Sequence, residues 1–466
     1  MFDAFHLPTA TASDIGGFEV FAAGGAQWRV PRLSPDALSR LGQSLVRNRA
    51  QILARRPLAS IIAAIDHVAQ RFLDETDPIR READALLPGA TGYAPAMTRL
   101  TLGHSAHDWC APALERLIHA ELRDPGALDG FVFDATRASR VHASGPALIV
   151  HILSGNVPGV AVTSLVRSLL VKSASLAKTA IREPVLAPLF ARALAEIDPD
   201  LGSCLAVTYW NGGDAAAERA ATTHAEAVVF YGGAEAAREI RGRLGSGVTL
   251  IEHGPRVSFG MVMRETLADR AVAHSLAAAV ARATATFDQQ GCVSPQLVYV
   301  EEGGVVSPRE FAAQVADTLQ AEAGTLPRGP LSPAEAASIH EFRASAEFRA
   351  IAGEDVALFA SADTSATVIF EADVTFAGSL LNRVLRVKAV ADVGLIPDLL
   401  WPARHLLQTA AVAGPSARIE ALAPRLVAAG VTRITSFARM PFPPPFWHHD
   451  GRGPLGELLR WADLEA

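Results

Sequence analysis

The side chain with the most chemistry to offer is the thiol of Cys292, in Thr-Phe-Asp-Gln-Gln-Gly-Cys-Val-Ser-Pro-Gln (286–296). An Ala-rich amphipathic segment leads into the Gly-Cys turn, and a proline opens the strand-like run that follows. A thiol on such a turn can face a cleft, and its thiolate is a strong nucleophile. Cys110 and Cys204 sit among apolar neighbours and read as packing residues, the commoner role of a free cysteine.

Four further motifs offer binding or proton chemistry. Ser-Gly-Asn-Val-Pro-Gly (154–159) joins an apolar strand to a helix. Gly155 lets backbone amides approach a ligand there, and a helix start favours anions. The Asn156 amide can donate to a developing oxyanion or can simply cap the helix. Lys178 is expected at the carboxyl end of a parallel strand, where doubly wound sheets bind ligands. Its ammonium suits ribose hydroxyls or a phosphate, and Arg182 is near enough to assist with a 2′-phosphate. In Val-Val-Phe-Tyr-Gly-Gly-Ala-Glu (228–235), Gly232 and Gly233 can hold a pyrophosphate or nicotinamide against a helix start, although any tight turn uses such a pair. No Gly-x-Gly-x-x-Gly run stands between strand and helix here, which disfavours an ordinary Rossmann dehydrogenase. Glu252 and His253 end a strand, and either can be a general base or a solvated strand end.

Composition narrows the class. A chain of 466 residues is long for one core and predicts two or three lobes. Half the residues are hydrophobic and 20% are charged, as in a compact soluble protein. A net charge of −7 argues against nucleic acid as a partner. Three cysteines without paired spacing argue against a disulfide framework and a structural zinc site. The N-terminus lacks the pattern of a signal peptide, and no apolar run reaches the ~18 residues of a membrane span. A cytoplasmic location is therefore expected. Lysine occurs only at Lys172, Lys178 and Lys388, so each invites a specific explanation.

The elements that must position these residues follow from periodicity. Residues 1–30 read as irregular or strand-like, and 34–123 are helical. A hairpin is expected near 138–147. From 148 to 255 strands alternate with helices of about a dozen residues, which predicts a parallel, doubly wound sheet. A second lobe begins near 256 and runs to about 435. The tail, 436–466, holds a Pro-rich stretch that excludes helix, followed by an expected short helix at 454–463.

Together these motifs resemble the aldehyde dehydrogenase superfamily. The Asn-Val-Pro turn, the lysine 22 positions later, the strand-Gly-Gly-helix and the Gly-Cys turn stand in that family's order. The chain departs from ordinary members at several points. Gly233 stands for the serine of the strand-Gly-Ser-x-Glu element, and Gly155 stands for the tryptophan before the asparagine. Ile251 falls where the water-activating glutamate of Glu-Leu-Gly-Gly-Lys belongs, and Glu-x-Phe-Gly-Pro has no clear equivalent. Gly-Asn-Val-Pro-Gly-Val, Leu-Val-Lys-Ser-Ala-Ser, Gln-Gln-Gly-Cys-Val-Ser-Pro-Gln and the tail Phe446-Trp-His-His-Asp-Gly are similar to the LuxC-type acyl-CoA reductases. These are the fatty-acid reductases of bacterial luminescence and their non-luminous relatives, and the resemblance spans about residues 140–465.

The resemblance implies an α/β fold of the aldehyde-dehydrogenase type, with two doubly wound lobes and a small hairpin/tail oligomerisation element. Residues 1–137 would be the helical part of the cofactor domain, 138–147 the hairpin, 148–255 a Rossmann-like NADP(H) domain, 256–435 the catalytic domain and 436–466 the tail. It implies reduction of an acyl-CoA or related acyl thioester to the aldehyde by NADPH, with NADH possible, through an acyl-Cys292 thioester. Asn156 would serve the oxyanion, Glu252 ahead of His253 the protons, and Gly155, Lys178, Arg182, Gly232 and Gly233 the cofactor. An acyl-activating partner enzyme and a homo-oligomer are further implications.

Rival readings are a plain NAD(P)-dependent aldehyde dehydrogenase and a non-redox cysteine acyltransferase or thioesterase. A serine hydrolase reading at Ser105 lacks the second glycine of the nucleophile elbow, whose place is taken by His107. A metal site at His448-His449-Asp450 lacks an evident third ligand, so none is expected.

Overall fold

The run Leu148–Ile152 is buried on both faces, which a strand tolerates only when helices cover it on both sides. In the computed structural model, which describes residues 1–465, it is the central strand of a five-stranded parallel sheet. Ala174–Lys178 and Leu205–Thr208 step away on one side, and Ala227–Tyr231 and Thr249–His253 on the other. Leu148, Val150 and Ile152 pack with Leu38, Leu41 and Leu45 of helix Pro35–Gln51. Ile149 faces the opposite core, with Val162, Leu165 and Phe190 of helices Val160–Leu170 and Leu186–Ile197. His151 shares that second face and hydrogen-bonds Ser164, Ser168 and Ser175, while burial lowers its pKa to about 3. The strand order reverses at Leu148–Ile152, so the crevice at its carboxyl end beside Ala227–Tyr231 is where such sheets accept ligands.

This sheet belongs to a compact unit formed by residues 1–254 with the tail from 444; Pro255–Pro443 form a second unit. The N-terminal helices start where sequence chemistry places them. Ser34 caps Pro35–Gln51 and Asp77 caps Pro78–Thr91, each with proline in the first turn. Residues 2–33 form a three-stranded sheet. No helix among the described residues is long and apolar enough to cross a membrane.

The tail departs from expectation. The segment 454–463, expected as helix, is a short 3-10 turn Gly456–Leu458 followed by strand Arg460–Leu464. That strand pairs antiparallel with Ser139–Ser144, which pairs in turn with Val132–Asp134. The open edge of Ser139–Ser144 offers backbone partners that a two-turn terminal helix flanked by Gly453 and Pro454 cannot match. The hairpin accordingly spans 132–144, starting earlier than expected.

The second unit is built on a seven-stranded sheet. Its order is Val356–Ala360, Thr367–Glu371, Val384–Val390, Pro295–Glu301, Val257–Val262, Leu407–Ala413 and Arg433–Thr435. All pairs are parallel except the first. Two irregular stretches brace one another at its amino edge. Phe287, Asp288 and Gln289 have φ of 57°, 46° and 66°, and Leu381, Asn382 and Arg383 have 61°, 54° and 66°. Left-handed backbone costs a non-glycine residue about 1–2 kcal/mol, so runs of three need support. Arg383 supplies it: its guanidinium, fully buried, donates twice to Asp288 at 2.9 and 2.7 Å. The Asn382 N–H donates to the Asp288 carbonyl at 3.0 Å. The Gln289 side chain bonds both backbone groups of Val384 and the Pro295 carbonyl. Removing one member of a buried ion pair strands the other, at about 3–5 kcal/mol. Arg383→Ala is therefore expected to lose about that much stability in a urea titration and to speed hydrogen exchange in 286–296 and 381–390. Unchanged exchange in both segments would contradict the brace.

Candidate active site

The first unit gathers most of the expected binding residues at the carboxyl ends of its strands. Gly155 follows Leu148–Ile152, Lys178 ends Ala174–Lys178, Gly232 and Gly233 follow Ala227–Tyr231, and Glu252 and His253 end Thr249–His253. A Cβ on Gly155 would lie 2.9 Å from Arg182 Cβ and 3.0 Å from the Glu183 nitrogen, so this glycine lets two turns close against each other. Arg182 itself is exposed. Gly233 opens helix Ala234–Arg241, and the space where its side chain would be is open. Asn156 is exposed and does not cap the helix; Gly159 holds the N-cap position. The Asn156 carbonyl accepts from the Tyr93 hydroxyl at 2.5 Å, and its Oδ1 accepts from Ser154 Oγ at 2.8 Å.

The three lysines separate cleanly. Lys172 pairs with Asp129 at 2.6 Å, and Lys388 pairs with Glu371 and Asp373, each at 3.1 Å. Lys178 has no hydrogen bond or ion pair among the described residues; its ammonium lies 5.3 Å from the centre of the Tyr209 ring. Burial pulls its pKa below the ordinary lysine value, with Glu218 opposing. A half-buried cation without an anion, at a strand's carboxyl end, fits an anionic ligand.

Glu252 and His253 point to opposite faces of their strand, as alternation requires, and meet different fates. Glu252 is held by Arg241 at 2.5 Å in a surface pair. His253 is buried, and its Nδ1 donates to Asp450 at 3.0 Å. Its ring stacks on Tyr231 at 4.6 Å and on His449 at 4.4 Å, and Trp447 stacks on His449 at 4.8 Å. Asp450 has φ 55° and Gly451 φ 78°, and the Arg452 N–H donates to the His449 carbonyl at 3.1 Å. This tight Asp-Gly turn aims Asp450 at His253. The sequence signal for it was the Asp-Gly pair; the partner strand was not readable. His253, His449 and Asp450 hold potential ligand atoms within 4.8 Å of one another. The two imidazoles lie only 10° from parallel, so their in-plane nitrogens do not converge as tetrahedral coordination demands.

Cys292 belongs to the second unit. It sits between the left-handed run and strand Pro295–Glu301, at the amino edge of that sheet. It is partly exposed, whereas Cys110 and Cys204 are buried and burial raises both thiol pKa values, that of Cys204 to about 11. A Cβ on Gly291 would lie 2.9 Å from the Phe287 ring, so a larger residue before the thiol would require that ring to shift. Ser258 Oγ donates to the Cys292 carbonyl at 2.6 Å and accepts from the Thr409 N–H at 3.1 Å. Ser258, Thr409 and the brace around Asp288 carry no motif and were not legible in the sequence. Ser105 lies inside helix Pro95–Asp108, not at a strand-to-helix elbow, which removes the serine hydrolase reading.

Comparison with known proteins agrees with this architecture. The family model described as acyl-CoA reductase (LuxC) matches residues 53–461. The long-chain acyl-protein thioester reductase of Aliivibrio fischeri is 26% identical over 414 residues, covering 88% of this chain and 82% of that protein. The protein of the same name from Photorhabdus luminescens is 28% identical over 246 residues, 52% of this chain, and the match spans only half the length of that relative (50%). Among solved structures, a NAD-dependent benzaldehyde dehydrogenase from Corynebacterium glutamicum superposes with a TM-score of 0.72 at 16% identity, over 100% of both chains. The fold is that of the aldehyde dehydrogenases, and the chain belongs to the acyl-CoA reductase (LuxC) family.

Proposed function

We propose that this protein reduces a fatty acyl thioester, carried by CoA or by a protein, to the aldehyde through an acyl-Cys292 intermediate. The observation that carries the reading is a partly exposed thiol on a braced turn in a member of this family. The Cys292 thiolate attacks the thioester carbonyl, the donor thiol leaves, and the acyl group stays on sulfur. The Cys292 N–H donates to the tetrahedral oxyanion, a donor of this kind being worth about 10²–10³ in rate.

Lys178, with Arg182 on the following turn, holds the phosphate or ribose of a nicotinamide cofactor, and the open approach at Gly233 lies beside the same crevice. Two cations favour NADPH over NADH. When bound, that cofactor supplies the hydride that takes the acyl group to the aldehyde level. His253, held by Asp450, is better suited than Glu252 to handle protons, because Glu252 is engaged by Arg241. An aldehyde oxidiser must hydrolyse its acyl-enzyme with an activated water. Ile251, buried, stands where the resembling family keeps that base, which supports reduction over oxidation. The exposed edge strand Arg460–Leu464 supports self-association, and the names of the relatives support an acyl-protein donor.

Cys292→Ala is expected to abolish aldehyde formation from acyl-CoA and to leave NADPH affinity within about threefold; wild-type turnover would refute the assignment. Lys178→Ala is expected to weaken NADPH by about tenfold or more and acyl-CoA little. Equal weakening of both ligands would remove Lys178 from the cofactor site.

A further inference from the structure

We propose that a small cavity at the amino edge of the five-stranded sheet binds a phosphate-sized oxyanion between Arg49 and Arg460. The proposal goes beyond the reductase reading and does not depend on it.

The cavity lies within the first unit and has a volume of about 200 Å³. Turns that enter three neighbouring strands line it. Gly145 and Ala147 lead into Leu148–Ile152, Lys172 precedes Ala174–Lys178, and Glu226 precedes Ala227–Tyr231. The crevice at the carboxyl ends of the same strands lies a strand length away, roughly 16 Å for five residues. The cavity is therefore a separate place from the one that Lys178 marks.

Cations reach it from separate elements. Arg49 comes from helix Pro35–Gln51 and Arg460 from the tail strand. Arg49 is partly buried and fixed: its Nε donates to the Lys172 carbonyl at 3.1 Å and its Nη2 to the Gly145 carbonyl at 3.2 Å. Both acceptors are neutral, so they aim the guanidinium without pairing its charge. The Arg460 guanidinium has no hydrogen bond or ion pair among the described residues, while its backbone is held in register opposite Ser144, which also lines the cavity. Lys172 lines the cavity too, but its ammonium is committed to Asp129. Against the two guanidinium groups stands one lining carboxylate, Glu226, whose Oε2 accepts from the Ala147 N–H at 2.9 Å. Burial lowers the Arg49 pKa; Glu226 opposes that, and the like charge of Arg460 adds to it. Two cations that face one cavity repel, and an anion held between them turns that repulsion into attraction.

Size and donor geometry select the anion. The volume is the share of roughly seven waters, below the ~300–1,000 Å³ of pockets that enclose drug-sized ligands. It takes a compact group and excludes a whole dinucleotide or CoA. Guanidinium forks approaching from two elements suit the several oxygens of a tetrahedral phosphate, free or at the end of a monoester. Once bound, that group bridges helix Pro35–Gln51 to the tail strand Arg460–Leu464.

The test is calorimetric titration of the full chain with inorganic phosphate at constant ionic strength, with hydrogen exchange followed on the same samples. Wild type is expected to bind saturably with a Kd of about 1 mM or tighter, and phosphate is expected to slow exchange in 139–144 and 460–464. Arg460→Gln, a change at an exposed side chain, is expected to weaken phosphate by about tenfold or more. Glu226→Gln keeps an acceptor for the Ala147 N–H but removes the negative charge, and is expected to tighten binding several-fold. In Lys178→Ala the slowed exchange at 460–464 is expected to persist, which separates this cavity from the cofactor crevice. Glycerol 3-phosphate distinguishes the sources: tighter binding than phosphate supports a monoester as the ligand, and weaker binding supports the free ion. Absence of saturable binding at that level would overturn the proposal. So would an affinity unchanged by both Arg460→Gln and Glu226→Gln, or loss of the exchange effect in Lys178→Ala.

Discussion

The unit Pro255–Pro443 depends on a pair of left-handed turns that neither stretch of chain would adopt alone. Residues 287–289 and 381–383 lie almost a hundred positions apart and share the same unfavourable backbone region. What holds them is one buried ion pair, Arg383 with Asp288, and the glutamine that satisfies both backbone groups of Val384. Burial alone drives the Asp288 pKa upward, so the carboxylate needs the guanidinium as much as the turn needs the pair. The consequence is chemical: the chain leaves this brace directly into Gly291 and Cys292. The thiol is presented by a rigid turn whose strain is offset elsewhere, which is the arrangement expected where a side chain must hold one position.

The unit of residues 1–254 with the tail rests on a different constraint, the reversal of strand order at Leu148–Ile152. That reversal opens the crevice at the strand ends and collects Gly155, Lys178, Gly232 and His253 along one edge. Partner count separates the three lysines of the chain. Lys172 and Lys388 each pair with carboxylates, and among the described residues Lys178 faces only an aromatic ring. The second sheet breaks the same rule of thumb, because Cys292 lies at its amino edge rather than at its carboxyl ends.

How much of this was legible follows from the range of the forces involved. The alternation of strands and helices from 148 to 255 was readable because it is set by local periodicity and by turn residues such as Gly232 and Gly233. The exposure of Cys292 against the burial of Cys110 and Cys204 was readable for the same reason. The strand at Arg460–Leu464 was not, because its backbone partner is an edge more than 300 residues earlier. His253 could be placed at a strand end, but its partner Asp450 arrives from the tail; the sequence ranked His253 below Glu252, and the structure ties Glu252 to Arg241 and His253 to Asp450. Ser258 and Thr409 have no motif; only hydrogen bonds across neighbouring strands tie them to Cys292.

The central claim is that Cys292 carries the acyl group on its way to the aldehyde. It is tested most directly by the intact mass of the protein after mixing with long-chain acyl-CoA, before and after NADPH is added. The account predicts one acyl adduct, mapped to Cys292, that disappears on adding NADPH as aldehyde appears. An adduct that NADPH leaves untouched, or one mapped to another residue, would contradict it.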